Sequence, residues 1–307
     1  MTGGPKDGKA RPLTQPGPFR AVQLITTLSD LREALRPARR AEAAIGLVPT
    51  MGYLHRGHMT LVDRARAENA VTVVSIFVNP TQFGPNEDFA AYPRDLDRDL
   101  ELCRAHGVDL VFAPDVREMY PQPIETHVEV ESLSDLLIGR QRPGHFRGVA
   151  TVVTKLFNIA EPTRAYFGEK DFQQLAVVRR MVRDLSMRVA IVGVPTVREA
   201  DGLAMSSRNV RLSAEERQAA PVLHRGLAAA AARFADGERD VERLLATLTA
   251  TIGAEPSIAL VSADLCDSAT LRPVERVGPA PAVLLVTARL GAVVLIDQME
   301  LVTEEGP

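Results

Sequence analysis

Apolar residues recur along this chain in two rhythms, and the pattern changes once, near residue 194. Before that point, short unbroken apolar runs alternate with stretches that are apolar only at helical spacing. Residues 29–43 (SDLREALRPARRAEA) have helical spacing, with Pro37 expected to kink or split the element. Ile45 to Val48 reads as a buried strand, and Pro49, Gly52 and Gly57 then interrupt it. From His58 onward, Met59, Leu61, Val62 and Ala65 return at helical spacing. Residues 71–78 (VTVVSIFV) predict a second buried strand, 95–106 an amphipathic helix and 108–113 a third strand. Residues 114–148 carry four prolines and predict no regular element. A helix over 149–160, a strand over 164–167, a helix over 172–185 and a strand over 189–194 follow. Strands separated by helical crossovers imply a parallel sheet with right-handed connections. The polar loops at the strand ends fit an open α/β sheet that binds its ligand at that edge.

After Val194 comes a polar linker, VPTVREADGLAMSSRN, over 194–209. Ser213 and Glu216 then form a capping-box pair that opens a helix of about two dozen residues. A second helix is expected over 239–252, and strands over 258–266, 283–288 and 293–296. The last two strands are joined by a Gly291 turn, as in a hairpin. Helices followed by antiparallel strands predict a separate α+β domain. The expected organisation is a leader over 1–20, a first domain over 21–196 and a second over 197–307.

Composition narrows the function classes. A 46% hydrophobic and 24% charged chain of 307 residues is that of an ordinary globular protein. A net charge of −3 leaves no electrostatic footprint for nucleic acid or an anionic membrane. No apolar run approaches membrane-spanning length. The first eighteen residues lack the apolar region of a secretory signal and read as a disordered leader. The two cysteines, Cys103 and Cys266, support neither a disulfide framework nor a zinc ribbon, so a reduced, cytoplasmic home is expected.

The candidate chemistry gathers at the breaks. His55 and His58 stand where a strand turns into a helix, and free N–H groups and the helix dipole there favour an anion. Three readings of the pair stay open at this point. One imidazole caps the helix and the other packs; both face a phosphate; or both bind zinc with a third ligand such as His145. Lys170, in FGEKD, sits between a strand and a helix and could reach an anionic oxygen, or simply pair with Glu169 or Asp171. Ser206, Ser207 and Arg208 offer two hydroxyls and a guanidinium to β- and γ-phosphates at the proposed domain boundary. Gln82 and Gln174 could hydrogen-bond a substrate carrying hydroxyls and a carboxylate. Neither a P-loop nor a dinucleotide fingerprint is present.

Together these blocks are specific. PTMGYLHRGH (49–58), FVNPTQF (77–83), RPGHFRGV (142–149), FGEKDFQQL (167–175) and GVPTVREADGLAMSSRN (193–209) resemble the pantoate–β-alanine ligases, in that family's order. These belong to the nucleotidyltransferase superfamily with HxGH motifs. The resemblance implies a Rossmann-like first domain, a small C-terminal lid domain and a homodimer. It implies that ATP and (R)-pantoate give pantoyl adenylate and pyrophosphate with Mg²⁺, and that β-alanine then displaces AMP. By motif, Met51, Gly52, Tyr53, Leu54, His55, Arg56, Gly57 and His58 would line ATP, with His58 as proton donor. Gly168, Glu169, Lys170, Asp171, Val197, Met205, Ser206, Ser207 and Arg208 would complete the nucleotide site. Gln82 and Gln174 would hold pantoate, Gln82 also β-alanine, with Asn79, Arg142 and His145 beside the substrate. Asp99 aligns with a carboxylate linked to Mg²⁺. The chain departs from the family at Tyr53 and Arg56, where Ala and Glu are usual, and at Val294 and Gln298, where Arg and Asn are common. A metal-dependent hydrolase using His55, His58 and His145 is the competing reading.

Overall fold

The computed structural model describes residues 21–303 except Asn86 and Asp88. The leader expected over 1–20 lies outside the described residues. The chain runs β1 (Gln23–Ile25), α1 (Leu28–Arg40), β2 (Ile45–Thr50), α2 (Arg56–Glu68) and β3 (Val71–Ile76). A 3-10 turn (Pro80–Gln82), α3 (Leu96–Ala105) and β4 (Leu110–Phe112) follow. Then come α4 (Val116–Met119), α5 (Glu131–Ser134), α6 (Ile138–Gln141) and α7 (His145–Ala160). β5 (Arg164–Gly168), a 3-10 turn (Glu169–Asp171), α8 (Phe172–Asp184) and β6 (Ala190–Val194) close the first half. The second half holds a 3-10 turn (Ser207–Arg211), α9 (Ala214–Ala219), α10 (Val222–Ala235) and α11 (Val241–Gly253). It ends with β7 (Ala259–Asp267), β8 (Ala282–Leu290) and β9 (Val293–Leu301).

The first six strands form one parallel sheet in the order β1-β4-β3-β2-β5-β6. The central strands β2, β3 and β4 are mostly apolar and buried because both faces are covered, while the edge strands β1 and β6 are partly exposed. Leu47, Val73, Leu110 and Ala165 point into a cluster with α1, α7 and α8. Their neighbours Val48, Val74, Val111 and Tyr166 point into a cluster with α2 and α3. Strand order reverses at β2, whose neighbours are β3 on one side and β5 on the other. The loops after β2 and β5 therefore diverge and leave a crevice, the position where open α/β sheets bind ligands.

The small sheet is antiparallel, β7-β8-β9, and α10 and α11 cover it. Cys266, Leu271 and Val283 leave that core and join the large one, which ties the two sheets together.

Local expectations needed four corrections. Pro37 does not split α1: its position and that of Glu33 are exposed, so the carbonyl left without a partner faces water. The long helix predicted after Ser213 breaks into α9 and α10 at Pro221, which has no N–H to continue the ladder. The segment 114–148 holds three one-turn helices. α7 begins at His145, not Val149, because Gly144 adopts φ +81° as its N-cap. The three-residue edge strand β1 was not anticipated, being too short to show a period.

Candidate active site

β2 delivers the first wall of the crevice. After Thr50 the chain makes a tight turn through Gly52 (φ +84°) and Tyr53 (φ +50°). The non-glycine residue at positive φ is held by a buried carboxylate. Asp99, on α3 and 1% exposed, accepts the Tyr53 N–H at Oδ2 (2.7 Å) and the Leu54 N–H at Oδ1 (2.7 Å). A side chain at Gly52 would meet Asp99 Oδ2 at 3.1 Å and Ile76 Cγ2 at 2.9 Å, so this carboxylate and the glycine fit one another.

The turn then hands over to α2 through the histidines themselves. His55 is the N-cap, and its Nδ1 accepts the Gly57 N–H at 3.1 Å. His58 Nδ1 reaches back and accepts the His55 N–H at 3.2 Å. This reciprocal cap has the logic of a capping box, with imidazoles in both roles. Gly57 is required because the His55 ring folds over it: a Cβ there would lie 2.8 Å from Cε1. The ring centroids are 4.0 Å apart.

The cap fixes the chemistry of both rings. A backbone N–H can only donate, so each Nδ1 is unprotonated and each proton sits on Nε2. Burial, then the Lys170 ammonium, pushes the His55 pKa down to about 4. Burial, then His55 and Lys170, holds His58 well below the ordinary histidine value. Both rings are therefore neutral near about pH 7, each with an Nε2–H left to donate into the cavity.

Lys170 follows β5 in the 3-10 turn, largely covered, its Nζ 3.6 Å from Asp171 Oδ2. The third wall is the 196–209 segment. Ser206 Oγ accepts the Arg208 N–H at 3.2 Å, the Arg208 guanidinium lies 5.6 Å from the Tyr92 ring centroid, and Ser207 Oγ donates to the Tyr53 carbonyl at 3.2 Å. That last bond joins the third wall to the first. Met51, His55, Gly57, His58, Gly168, Lys170, Asp171, Val197, Met205, Ser206, Ser207 and Arg208 all line one cavity of about 200 Å³. These residues, scattered in sequence, share one cavity wall. Gly52, Tyr53, Leu54, Arg56 and Glu169 do not line it. Gly52 and Leu54 are buried behind the turn, Arg56 is exposed, and the Tyr53 ring lies 4.9 Å below the Arg98 guanidinium. The two departures from the family motif thus stay out of the cavity wall.

Of the amides, Gln82 and Gln174 line the cavity, as does Asn79. Asn79 donates to Gln82 Oε1 (3.1 Å) and the Gly148 carbonyl (3.2 Å), and its Oδ1 accepts from Tyr120 (2.9 Å) and Thr81. With its amide engaged, Asn79 aims Gln82 at the cavity. Arg142 and His145 do not line it either. His145 Nδ1 donates to the Gln82 carbonyl at 2.8 Å, Arg142 forks onto Glu87, and Arg142 Nη1 meets His145 Nε2 at 3.3 Å. Burial and Arg142 push the His145 pKa down to about 4. The pair grips the Gln82 backbone from behind and faces a neighbouring cavity of about 550 Å³, which shares Lys170, Asp171, Gln174, Ser206 and Arg208 with the first. Tyr92, Thr50 and Thr196 also line the first cavity and were not singled out; Thr50 and Thr196 lie inside the motif blocks, whereas nothing in its sequence context marks Tyr92.

Asp99, aligned by motif with a Mg²⁺-linked carboxylate, lines neither cavity; its oxygens accept the Tyr53 and Leu54 N–H groups beneath the turn. The zinc set dissolves. His55 and His58 turn Nδ1 to the backbone, and His145 faces Gln82 and Arg142. Among the described residues no group of three or more His, Cys, Asp or Glu is placed to hold a metal ion.

A parallel sheet whose reversal point is capped by a strand–turn–helix unit defines an open α/β protein with its ligand crevice at that point. Comparison with known proteins makes the class specific. Residues 23–300 match the pantoate-beta-alanine ligase family, and the chain belongs to it. It is 54% identical over 276 residues to the pantothenate synthetase of Chloroflexus aurantiacus, covering 90% of this chain and 97% of that one. It is 52% identical over 284 residues to that of Geobacter sulfurreducens, covering 92% and 100%. The crystal structure of pantothenate synthetase from Thermus thermophilus superposes with a TM-score of 0.86 at 50% identity, covering 92% of this chain and 100% of that one. The Francisella tularensis pantoate-beta-alanine ligase, solved with beta-gamma ATP and beta-alanine, gives 0.73 at 31% identity, covering 93% and 99%.

Proposed function

We propose that this protein joins (R)-pantoate to β-alanine in two steps at the cavity between β2, β5 and the 196–209 segment, supplying a coenzyme A precursor. A pantoate carboxylate oxygen attacks the α-phosphorus of ATP. The new O–P bond forms as the bond to the β-phosphate oxygen breaks, and pyrophosphate leaves. The β-alanine amine then attacks the acyl carbon of pantoyl adenylate. A C–N bond forms, AMP leaves, and the nitrogen loses a proton.

The observation that carries this reading is the reciprocal histidine cap. It presents two neutral Nε2–H donors at the start of a thirteen-residue helix, where the dipole already favours an anion. In the first step charge grows on phosphate oxygens, and fixed donors in a water-poor site are what such a step needs. His55 and His58 serve the α-phosphate as hydrogen-bond donors, and Lys170 adds a full positive charge. A neutral imidazole with a strongly depressed pKa is a poor proton source, so His58 donates a hydrogen bond and keeps its proton. Ser206 and Arg208 face the leaving pyrophosphate. Gln82, aimed by Asn79 and braced by His145, meets pantoate together with Gln174. The apolar floor of Phe77, Val149, Val152, Val153 and Leu156 receives the gem-dimethyl end of pantoate.

The other nucleotide contacts are read as indirect. Gly52, Tyr53, Leu54 and Asp99 shape the turn and leave contact to Met51, His55 and His58. Magnesium belongs to the triphosphate in this reading, and no step is assigned to a protein-held ion. We place the division between the α/β part and the lid near residue 196, and read the protein as a cytoplasmic homodimer. No helix among the described residues is long and apolar enough to cross a membrane.

The test is release of pyrophosphate and AMP from ATP and pantoate, with and without β-alanine. Pyrophosphate should appear without β-alanine, while AMP release should require it. Pyrophosphate that appears only when all three substrates are present would contradict the two-step order.

A further inference from the structure

The segment after β6 is bonded within itself, and what fixes it relative to the rest of the cavity is a small set of outside ties. Residues 197–205 form a short hairpin, with Glu199 N–H to the Leu203 carbonyl at 2.8 Å and Met205 N–H to the Val197 carbonyl at 2.9 Å. Its tip turns at Gly202 (φ +94°), which rests against His224 of α10: a Cβ there would meet the ring at 2.5 Å. Two ties are on the surface, Arg217 to Glu199 (2.8 Å) and to Asp201 (2.6 Å), where solvent weakens them.

The third tie is buried. Arg198 forks onto Asp297 of β9, Nη1 to Oδ2 at 2.6 Å and Nη2 to Oδ1 at 3.0 Å. The same guanidinium donates to the Gly202 carbonyl within the hairpin (3.1 Å) and the Gln298 carbonyl on the strand (3.3 Å). Asp297 is 4% exposed, and its Oδ1 also accepts the Gln298 N–H at 2.8 Å. The proposed chemistry uses neither side chain. A forked pair whose Nη1 and Nη2 each make two bonds fixes orientation as well as distance.

We infer that Asp297 is a positioning residue for the first half-reaction: through Arg198 it holds the hairpin that sets Ser206 and Arg208 against the leaving pyrophosphate. Strand β9 of the small sheet thereby completes a site whose other walls come from the large one. This rests on the reading of the function given above. Removing the carboxylate charge leaves Arg198 buried beside a weaker acceptor, and the hairpin shifts. Misplacement by an ångström is enough to cost a rate of about a hundredfold.

The experiment separates the half-reactions in Asp297→Asn. Pyrophosphate release from ATP and pantoate should slow by roughly a hundredfold. Pantothenate formation from supplied pantoyl adenylate and β-alanine should stay within about twofold of the parent, since no pyrophosphate leaves in that step. Arg198→Lys keeps the charge but not the fork and should show an intermediate loss, about tenfold, in the first step alone. Equal loss in both half-reactions would mean a general structural role, and a parental first step in either variant would also overturn the inference. If the parent protein itself releases no pyrophosphate from ATP and pantoate, it is the functional reading that fails.

Discussion

The two walls of the cavity that carry the histidines and the serines are built by opposite means. The 50–58 turn is fixed from within and below: backbone N–H groups meet His55, His58 and Asp99, and the strand before it is central in the sheet. The 196–209 segment is a small hairpin fixed in place from outside, by an ion pair to β9, two Arg217 ties, a glycine seated on α10 and one serine bond to Tyr53. A wall made by local backbone capping keeps its shape as long as the sheet is folded. A wall made by distant side chains can be lost while both sheets remain intact. In the proposed function the first wall serves the α-phosphate and the second the departing pyrophosphate.

His58→Ala attacks the first wall at its donor. Pyrophosphate release should fall by about 10²–10³, the usual loss when one preorganised donor is removed from a developing charge. The accompanying loss of a cap should cost only about 1 kcal/mol of stability, so the melting curve should shift little. A near-parental rate would remove His58 from the chemistry.

Gly57→Ala leaves both histidines present but drives a methyl into the His55 ring, which must swing away. The expected loss in adenylate formation is about tenfold to a hundredfold, with KM for pantoate unchanged. A full rate would show that the fold of His55 over Gly57 is not needed.

Much of this first wall could be read in the sequence, because strand, glycine break and helix lie within fourteen consecutive residues and each step is local. Capping by His55 and phosphate binding by both rings appeared there as alternatives; in the structure both rings take part in the cap, which is compatible with either. The second wall was legible only as a motif. Nothing in the spacing of Arg198 and Asp297, ninety-nine residues apart, announces their contact. Asp99 illustrates the same limit. Its family alignment points to a metal, but its partners are main-chain N–H groups forty-five and forty-six residues away, which no pattern of side chains reveals. Arg142 and His145 likewise sat in a substrate-like motif, and tertiary contacts turned them onto the Gln82 backbone.

Asp99→Asn sharpens the contrast by loosening the turn without touching the cavity. One of two acceptors becomes an amide N–H facing a backbone N–H, and an unsatisfied buried donor costs about 1–3 kcal/mol. Stability should fall by that amount and the adenylation rate by a smaller factor than in His58→Ala. The Mg²⁺ concentration giving half-maximal rate should stay that of the parent; a marked rise would return Asp99 to the metal.

The smallest effect is on pH. His55 and His145 have folded-state values near about 4, below the unfolded value of 6.5, and His58 is depressed as well. In that window the unfolded chain binds more protons, so stability is fully present above the unfolded value and declines as pH falls towards the folded ones. The melting temperature should therefore drop as pH is lowered from 6.5 towards about 4. A melting temperature that rose over this range would mean these rings are charged in the folded protein.

The most direct measurement of the central claim is the ¹⁵N–¹H correlation spectrum of the histidine rings near about pH 7. His55 and His58 should both appear as neutral rings protonated at Nε2, and should remain so down to about pH 5. A cationic ring, or a proton on Nδ1 of either residue, would contradict the cap and with it the pair of donors on which the adenylation site depends.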